Sequence, residues 1–339
     1  MDGMAFTLGI LDQSIVFPGY TAAEALSNTV KLAQLAESLG YDRFWVSEHH
    51  DSAGAAGSSP EVLVSYLLAQ TKRIAIGSGG VMLQHYSPYK VAENFNVLAT
   101  LAPGRVELGI GRAPGGLPRS TKALQKGIAE SETLEEKLDE LNVLLHSETG
   151  ESHYLPGLAA HPLPEQPAAV YVLGTSVSSA ELAAKRGLPY AFALFINNDP
   201  ETARAALELY RSTFNREFGR KPQPILALSV IAADTEQEAN ELAGQHKSVR
   251  VTLASGKTVN VNTLEQAEEF AKQAGEAYTA VERDADITRG TKETVRKRLL
   301  ELSEEYGVDS FIFTTIVPDF KKRVHSFTLL KEAFAEELV

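Results

Sequence analysis

Short apolar runs, largely β-branched, alternate along the chain with longer stretches whose apolar positions recur at helical spacing. This alternation predicts eight strands, at residues 6–11, 43–47, 74–83, 106–110, 170–173, 190–195, 225–232 and 309–316. Helical patterns follow them at residues 21–39, 60–71, 88–101, 131–146, 178–186, 200–218, within a longer region from 236 to 306, and at 320–338. Boundary chemistry supports the first helix, where Thr21 precedes Ala22-Ala23-Glu24 as a capping box and Gly40 marks the stop. Strands this apolar must be buried on both faces. Eight such βα units predict an α/β fold of the closed (β/α)8 TIM-barrel type, not a doubly wound sheet.

The units differ in length. Residues 111–129, rich in Gly and Pro, read as a loop after the fourth strand, and residues 150–167 as a second one before the fifth. The largest surplus follows the seventh strand, where residues 249–253 and 258–261 flank Ser255-Gly256-Lys257 like a hairpin between two helices. An excursion there, at about 236–285, lies on the face where barrel active sites are built, so a lid is expected. Residues 1–339 are expected to form one domain with loop insertions after strands 4 and 7.

Composition narrows the partners. The chain has 339 residues, with 44 Asp and Glu against 32 Lys and Arg for a net charge of −12, which argues against nucleic acid or an anionic membrane as the main partner. The sequence has no cysteine, which excludes disulfides, thiolate metal sites and thiol nucleophiles. With no basic leader before an apolar run and no apolar stretch of spanning length, a cytoplasmic location is expected.

Two nucleotide motifs fail on spacing. Ser255-Gly256-Lys257-Thr258 ends like a P-loop, but Val251 stands where that motif needs its first glycine. Gly109-Ile110-Gly111-Arg112-Ala113-Pro114 has Pro114 at the third glycine of the dinucleotide fingerprint. No serine-nucleophile elbow or H-E-x-x-H helix is present, and the histidines lack companions at metal-ligand spacing.

The remaining polar chemistry falls at strand ends. The second strand ends in Ser47-Glu48-His49-His50-Asp51, suited to acid–base work or to a solvated strand end. The third ends in Gly77-Ser78-Gly79-Gly80, where three glycines in a buried strand imply a bulge, an unusual peptide or a flat ligand against the backbone. Arg112 follows the fourth strand and suits a phosphate or carboxylate. After the fifth strand, Gly174-Thr175-Ser176-Val177-Ser178-Ser179 reads either as a phosphate cradle or as a plain helix cap from Ser178 with Glu181. Together these features suggest a phosphorylated planar cofactor across strand ends three to five, FMN or a deazaflavin such as F420.

The chain resembles the bacterial luciferase-like flavin monooxygenases, in particular the single-chain, alkanal-monooxygenase-like branch. The resemblance is carried by Leu11-Asp12-Gln13-Ser14, the run from Ala36 to His50, Gly77 to Leu83, His85-Tyr86-Ser87-Pro88, Pro103 to Gly115 and Gly290 to Val295. It implies a barrel that uses reduced FMN and O2 to oxygenate a small, aldehyde-like substrate through a flavin C4a-hydroperoxide. By the same resemblance His49 is the active-site histidine, oriented by Glu48. Gly79-Gly80 is a strand-end pair often joined by a cis peptide under the flavin ring. Arg112 binds phosphate, as do positions corresponding to Thr175, Ser176 and Ser179 beside Gly174. A separate flavin reductase and a homodimer are further implications. The alternatives are an F420-dependent oxidoreductase of the same superfamily and a flavin binder without turnover.

Overall fold

The computed structural model describes residues 6–127, 132–147, 149–244, 246–261 and 263–335. Eight parallel strands close into a barrel: β1 (Thr7–Asp12), β2 (Arg43–Val46), β3 (Ala75–Val81), β4 (Val106–Ile110), β5 (Ala169–Gly174), β6 (Tyr190–Ala193), β7 (Pro224–Ala232) and β12 (Ser310–Thr314), each paired with the next and β12 with both β7 and β1. Around them lie α1 (Ala22–Leu39), α2 (Pro60–Gln70), α3 (Pro88–Leu101), α4 (Pro118–Leu124), α5 (Leu134–Leu145), α6 (Val177–Lys185), α7 (Pro200–Thr213), α8 (Glu236–Ala243), α9 (Leu264–Ala274), α10 (Lys292–Tyr306) and α11 (Phe320–Ala335). The expected barrel is the observed one, with strand ends within about two residues of prediction. Thr21 forms the expected capping box with Glu24, and Gly40 closes α1 at φ 79°.

Apolar side chains fill two shells, one between strands and helices and one along the barrel axis, where Leu11, Trp45, Tyr171, Ala191, Ile225, Ala227 and Ile312 meet. The axis also holds an ion pair, Arg43 Nε to Glu107 Oε2 at 3.1 Å. Desolvating it is tolerable because Tyr171 Oη and Trp45 Nε1 donate to the same carboxylate and Arg43 reaches Ser310 Oγ. Packed apolar side chains and this ion pair thereby fill the barrel at its middle.

Three local expectations need correction. Residues 111–129 are not wholly loop: Pro118, tolerated in a first helical turn, starts α4 inside them. Helix α6 begins earlier than the expected Ser178, because Ser176 is the N-cap and Ser179 its N3 partner, while Glu181 pairs with Lys185. The excursion after β7 holds more than a hairpin: β8 (Lys247–Leu253) lies between β9 (Thr258–Val261) and a further strand, β10 (Tyr278–Asp284), in an antiparallel sheet. A short strand, β11 (Thr288–Gly290), then returns to pair with β7. The predicted helix residue Ser131 and the end of the last predicted helix, 336–338, lie outside the described residues.

Candidate active site

The chain leaves the pleat after Val46. The His49 amide donates to Gly57 O at 2.8 Å, the His50 amide donates to Gly115 O at 2.7 Å, and Asp51 turns left-handed at φ 51°. This departure decides which neighbour Glu48 can reach. Its carboxylate, 1% exposed, accepts from the Met82 amide on Oε2 at 3.0 Å and from Tyr86 Oη on Oε1 at 2.7 Å. His50 Nε2 lies 2.6 Å from the same Oε1. The histidine that Glu48 holds is therefore His50, whereas the sequence had suggested His49.

The His49 imidazole makes no hydrogen bond among the described residues, and burial followed by the neighbouring His50 lowers its pKa below the usual value of 6.5. At neutral pH it is an uncharged imidazole, able to take up or release a proton. Burial and the Glu48 carboxylate push the Tyr86 phenol far upward, so Tyr86 remains a donor. Met82 and Tyr86, which complete the Glu48 site, come from the turn after β3. In the sequence Met82 fell within the Gly77–Leu83 run and Tyr86 within His85-Tyr86-Ser87-Pro88, neither with a role attached.

In β3 the Gly79–Gly80 peptide is cis, and the β3–β4 register slips between Gly79 and Val81. Backbone approach here is close: a Cβ at Gly80 would sit 2.6 Å from Gly109 O, and one at Gly109 2.3 Å from Ser78 O. Small residues are required on both strands, and the floor of the barrel mouth is bare backbone.

Across the mouth the polar groups are open. Arg112, two residues past β4, is exposed and has no hydrogen bond or ion pair among the described residues. In register, β4 runs beside β5, whose last residue Gly174 leads into the first turn of α6. A Cβ at Gly174 would fall 2.3 Å from Ser179 Cβ, so this position too must be glycine. Ser176 Oγ accepts from the Ser179 amide at 3.3 Å and contacts Ser178 Oγ at 3.0 Å. Ser179 Oγ is turned inward, donating to Ser176 O at 2.7 Å and meeting Tyr190 Oη at 2.9 Å. Thr175 accepts from Asn197 on its carbonyl, which leaves its hydroxyl uncommitted. The Val177 and Ser178 amides, orphans of the first turn, stay open. An unpaired guanidinium beside a glycine-led helix start fits the phosphate end of a flavin mononucleotide.

The excursion after β7 docks on this face. Gln273 of α9 accepts from the Arg119 amide at 3.0 Å, Arg119 Nε meets Asp51 Oδ2 at 2.6 Å, and Asn260 Nδ2 donates to Ile196 O at 2.7 Å.

A barrel with a cis glycine pair, a histidine motif and an anion-ready helix start at its C-terminal mouth defines a flavin-type barrel enzyme. The family model for bacterial luciferase, described as "Luciferase-like monooxygenase", matches residues 6–310, and the chain belongs to that family as a flavin-dependent monooxygenase. The N-acetyl-S-alkylcysteine monooxygenase of Bacillus subtilis (strain 168) is 42% identical over 96% of this chain and 97% of its own. The crystal structure of apo-MsnO8 superposes with a TM-score of 0.78 at 32% identity, covering 97% of this chain and 98% of that one. The oxygenating constituent of the 3,6-diketocamphane monooxygenase of Pseudomonas putida, a type II Baeyer–Villiger monooxygenase in complex with FMN, shares the fold. Its TM-score is 0.72 at 20% identity, covering 99% of this chain and 100% of that one. No helix among the described residues is long and apolar enough to cross a membrane.

Proposed function

We propose that the protein binds reduced FMN and oxygenates a small organic thioether, an S-alkylated N-acetylcysteine or a close analogue. The cofactor half is carried by the mouth geometry: a bare glycine floor at Gly79-Gly80, with Arg112 and the α6 start free to take an anion. The substrate half is supported by the identity with the Bacillus enzyme.

Bound reduced flavin supplies the electrons that activate O2, so that one oxygen atom enters the substrate and the other leaves as water. Arg112, the Val177 and Ser178 amides and the Ser176 and Thr175 hydroxyls hold the phosphate. Gly79 and Gly80 let the ring lie against backbone. His49, neutral and unbonded, manages the proton that must be kept or delivered at the mouth. The excursion after β7 acts as a roof that keeps water out. A separate reductase supplies the reduced flavin. A homodimer is supported by an exposed apolar face, Val62 and Tyr66 on α2 with Val97 and Leu101 on α3.

The test supplies the purified protein with FMN, a flavin reductase and NADH under air, together with N-acetyl-S-alkylcysteine or a long-chain aldehyde, and analyses products by mass spectrometry. The expected result is an oxygenated thioether whose new oxygen comes from 18O2. Turnover of the aldehyde alone would overturn the substrate half, and tight binding of F420 without FMN binding would overturn the cofactor half.

A further inference from the structure

Beside the mouth stand a half-buried phenol that meets Glu48 and, behind it, a buried ammonium, neither of which the proposed reaction uses. Tyr86 Oη donates to Glu48 Oε1 at 2.7 Å, the oxygen that also meets His50 Nε2, and stands 3.3 Å from His50 Nε2 itself. Behind Tyr86, Lys137 of α5 is 4% exposed and makes no ion pair among the described residues. Its Nζ donates instead to two carbonyls of the turn after β3, Tyr86 O at 2.9 Å and Gln84 O at 3.2 Å. Burial lowers its pKa.

A lysine kept from water without an ion pair, its charge met by two carbonyls and the field of Glu132, is costly to place. Here it ties the outer helix layer to the turn that presents Tyr86. The remaining partner of that turn, His85, is held by Pro114 O at 2.8 Å on one ring nitrogen and by Gln125 at 3.2 Å on the other. The turn is thus anchored from both sides, and the phenol has one place to point.

We propose that Tyr86 is a positioning residue that sets the strength of the Glu48–His50 hydrogen bond, and that Lys137 holds Tyr86 in place to do so. Two donors compete for a single carboxylate oxygen, so the Tyr86 hydroxyl weakens the pull of Glu48 on the His50 Nε2 proton. With Nε2 as donor to Glu48, Nδ1 is the atom of His50 open to exchange. A balanced Nε2 bond leaves His50 free to shuttle protons at Nδ1 beside the unbonded His49. Without Tyr86 the Nε2 proton is drawn closer to Glu48.

The activity arm of the test rests on the proposed thioether oxygenation, whereas the spectroscopic arm needs no substrate, so the two can fail separately. In 1H NMR of the FMN-bound protein, the His50 Nε2 proton should appear as a downfield imidazole resonance that is absent from Glu48→Gln. Tyr86→Phe keeps the ring and removes the competing donor. It should move that resonance further downfield and lower kcat by about tenfold, the size of one hydrogen bond, with KM little changed. Lys137→Met, which leaves the phenol but releases the turn, should shift the resonance in the same direction by less, and Lys137→Arg should restore it. An unmoved resonance in a folded Tyr86→Phe protein would overturn the proposal, as would an activity loss confined to KM.

Discussion

The two sides of the barrel mouth differ in how their polar groups are satisfied. On the β2–β3 side Glu48 has three partners, His85 two, and each is fixed by a neighbour that is itself fixed. On the β4–β5 side Arg112 has no partner among the described residues and the first α6 amides are open. A satisfied network holds a shape and resists change, whereas exposed donors bound only to water can exchange that water for an anionic ligand. The β2–β3 side therefore looks built to orient chemistry, and the β4–β5 side to receive charge.

That contrast breaks most visibly at His49, the one imidazole on the satisfied side without a bond. His49→Ala should lower turnover roughly 10²- to 10⁴-fold in the oxygenation assay while FMN still quenches protein fluorescence on titration. Loss of FMN binding with turnover per bound flavin intact would place His49 on the receiving side instead. Next in size is Arg112→Ala. Removing one charge-assisted contact of about 1.5–3 kcal/mol should weaken FMN binding on the order of 10- to 100-fold and leave the apo-protein melting temperature unchanged. A drop in apo stability would mean that Arg112 is a structural partner.

The smallest effect concerns pH. Because His49 has its pKa lowered in the fold, the unfolded chain takes up its proton first as pH falls below about 6.5. This contribution to stability is present above the unfolded pKa and is lost toward acid. Urea melts from pH 7.5 to 5 should show wild type losing more stability than His49→Ala, and parallel losses would show that His49 is not the group being protonated.

What the sequence made legible follows from how local each signal is. The barrel strands could be read because each is an apolar run buried on both faces, and the Gly77-Ser78-Gly79-Gly80 cluster because glycines rarely gather in a buried strand without cause. The partner of Glu48 could not be read. It depends on the chain leaving the pleat after Val46, where Gly57 of the same connection and Gly115 of the loop after β4 take the His49 and His50 amides. Lys137 and Tyr86 are 51 residues apart and meet only through packing of α5 on the β3 turn. Strand β10 lacked the alternation of a half-buried strand because it is an exposed edge, held by pairing with β8 and not by a face of its own. The cap of α6 was misplaced by two residues because Ser176, Ser178 and Ser179 all suit that role, and only the fold distinguishes them.

The excursion after β7 has one more consequence. Val249, Val251, Leu253, Ala267, Phe270 and Ala271 pack together as its own apolar centre, separate from the barrel's. Its entry and exit lie side by side, since Gly290 of β11 is in register with Ala232 at the end of β7. A segment whose ends already touch, and whose apolar centre takes only Leu117 from the barrel's own loops, can be exchanged as a cassette: the frame on either side changes little to accept a different one. Related enzymes could thus diverge in what they admit by trading this cassette, with the eight-stranded frame beneath left unaltered. A chimaera carrying the corresponding segment of a relative would be the direct way to move substrate range within the family.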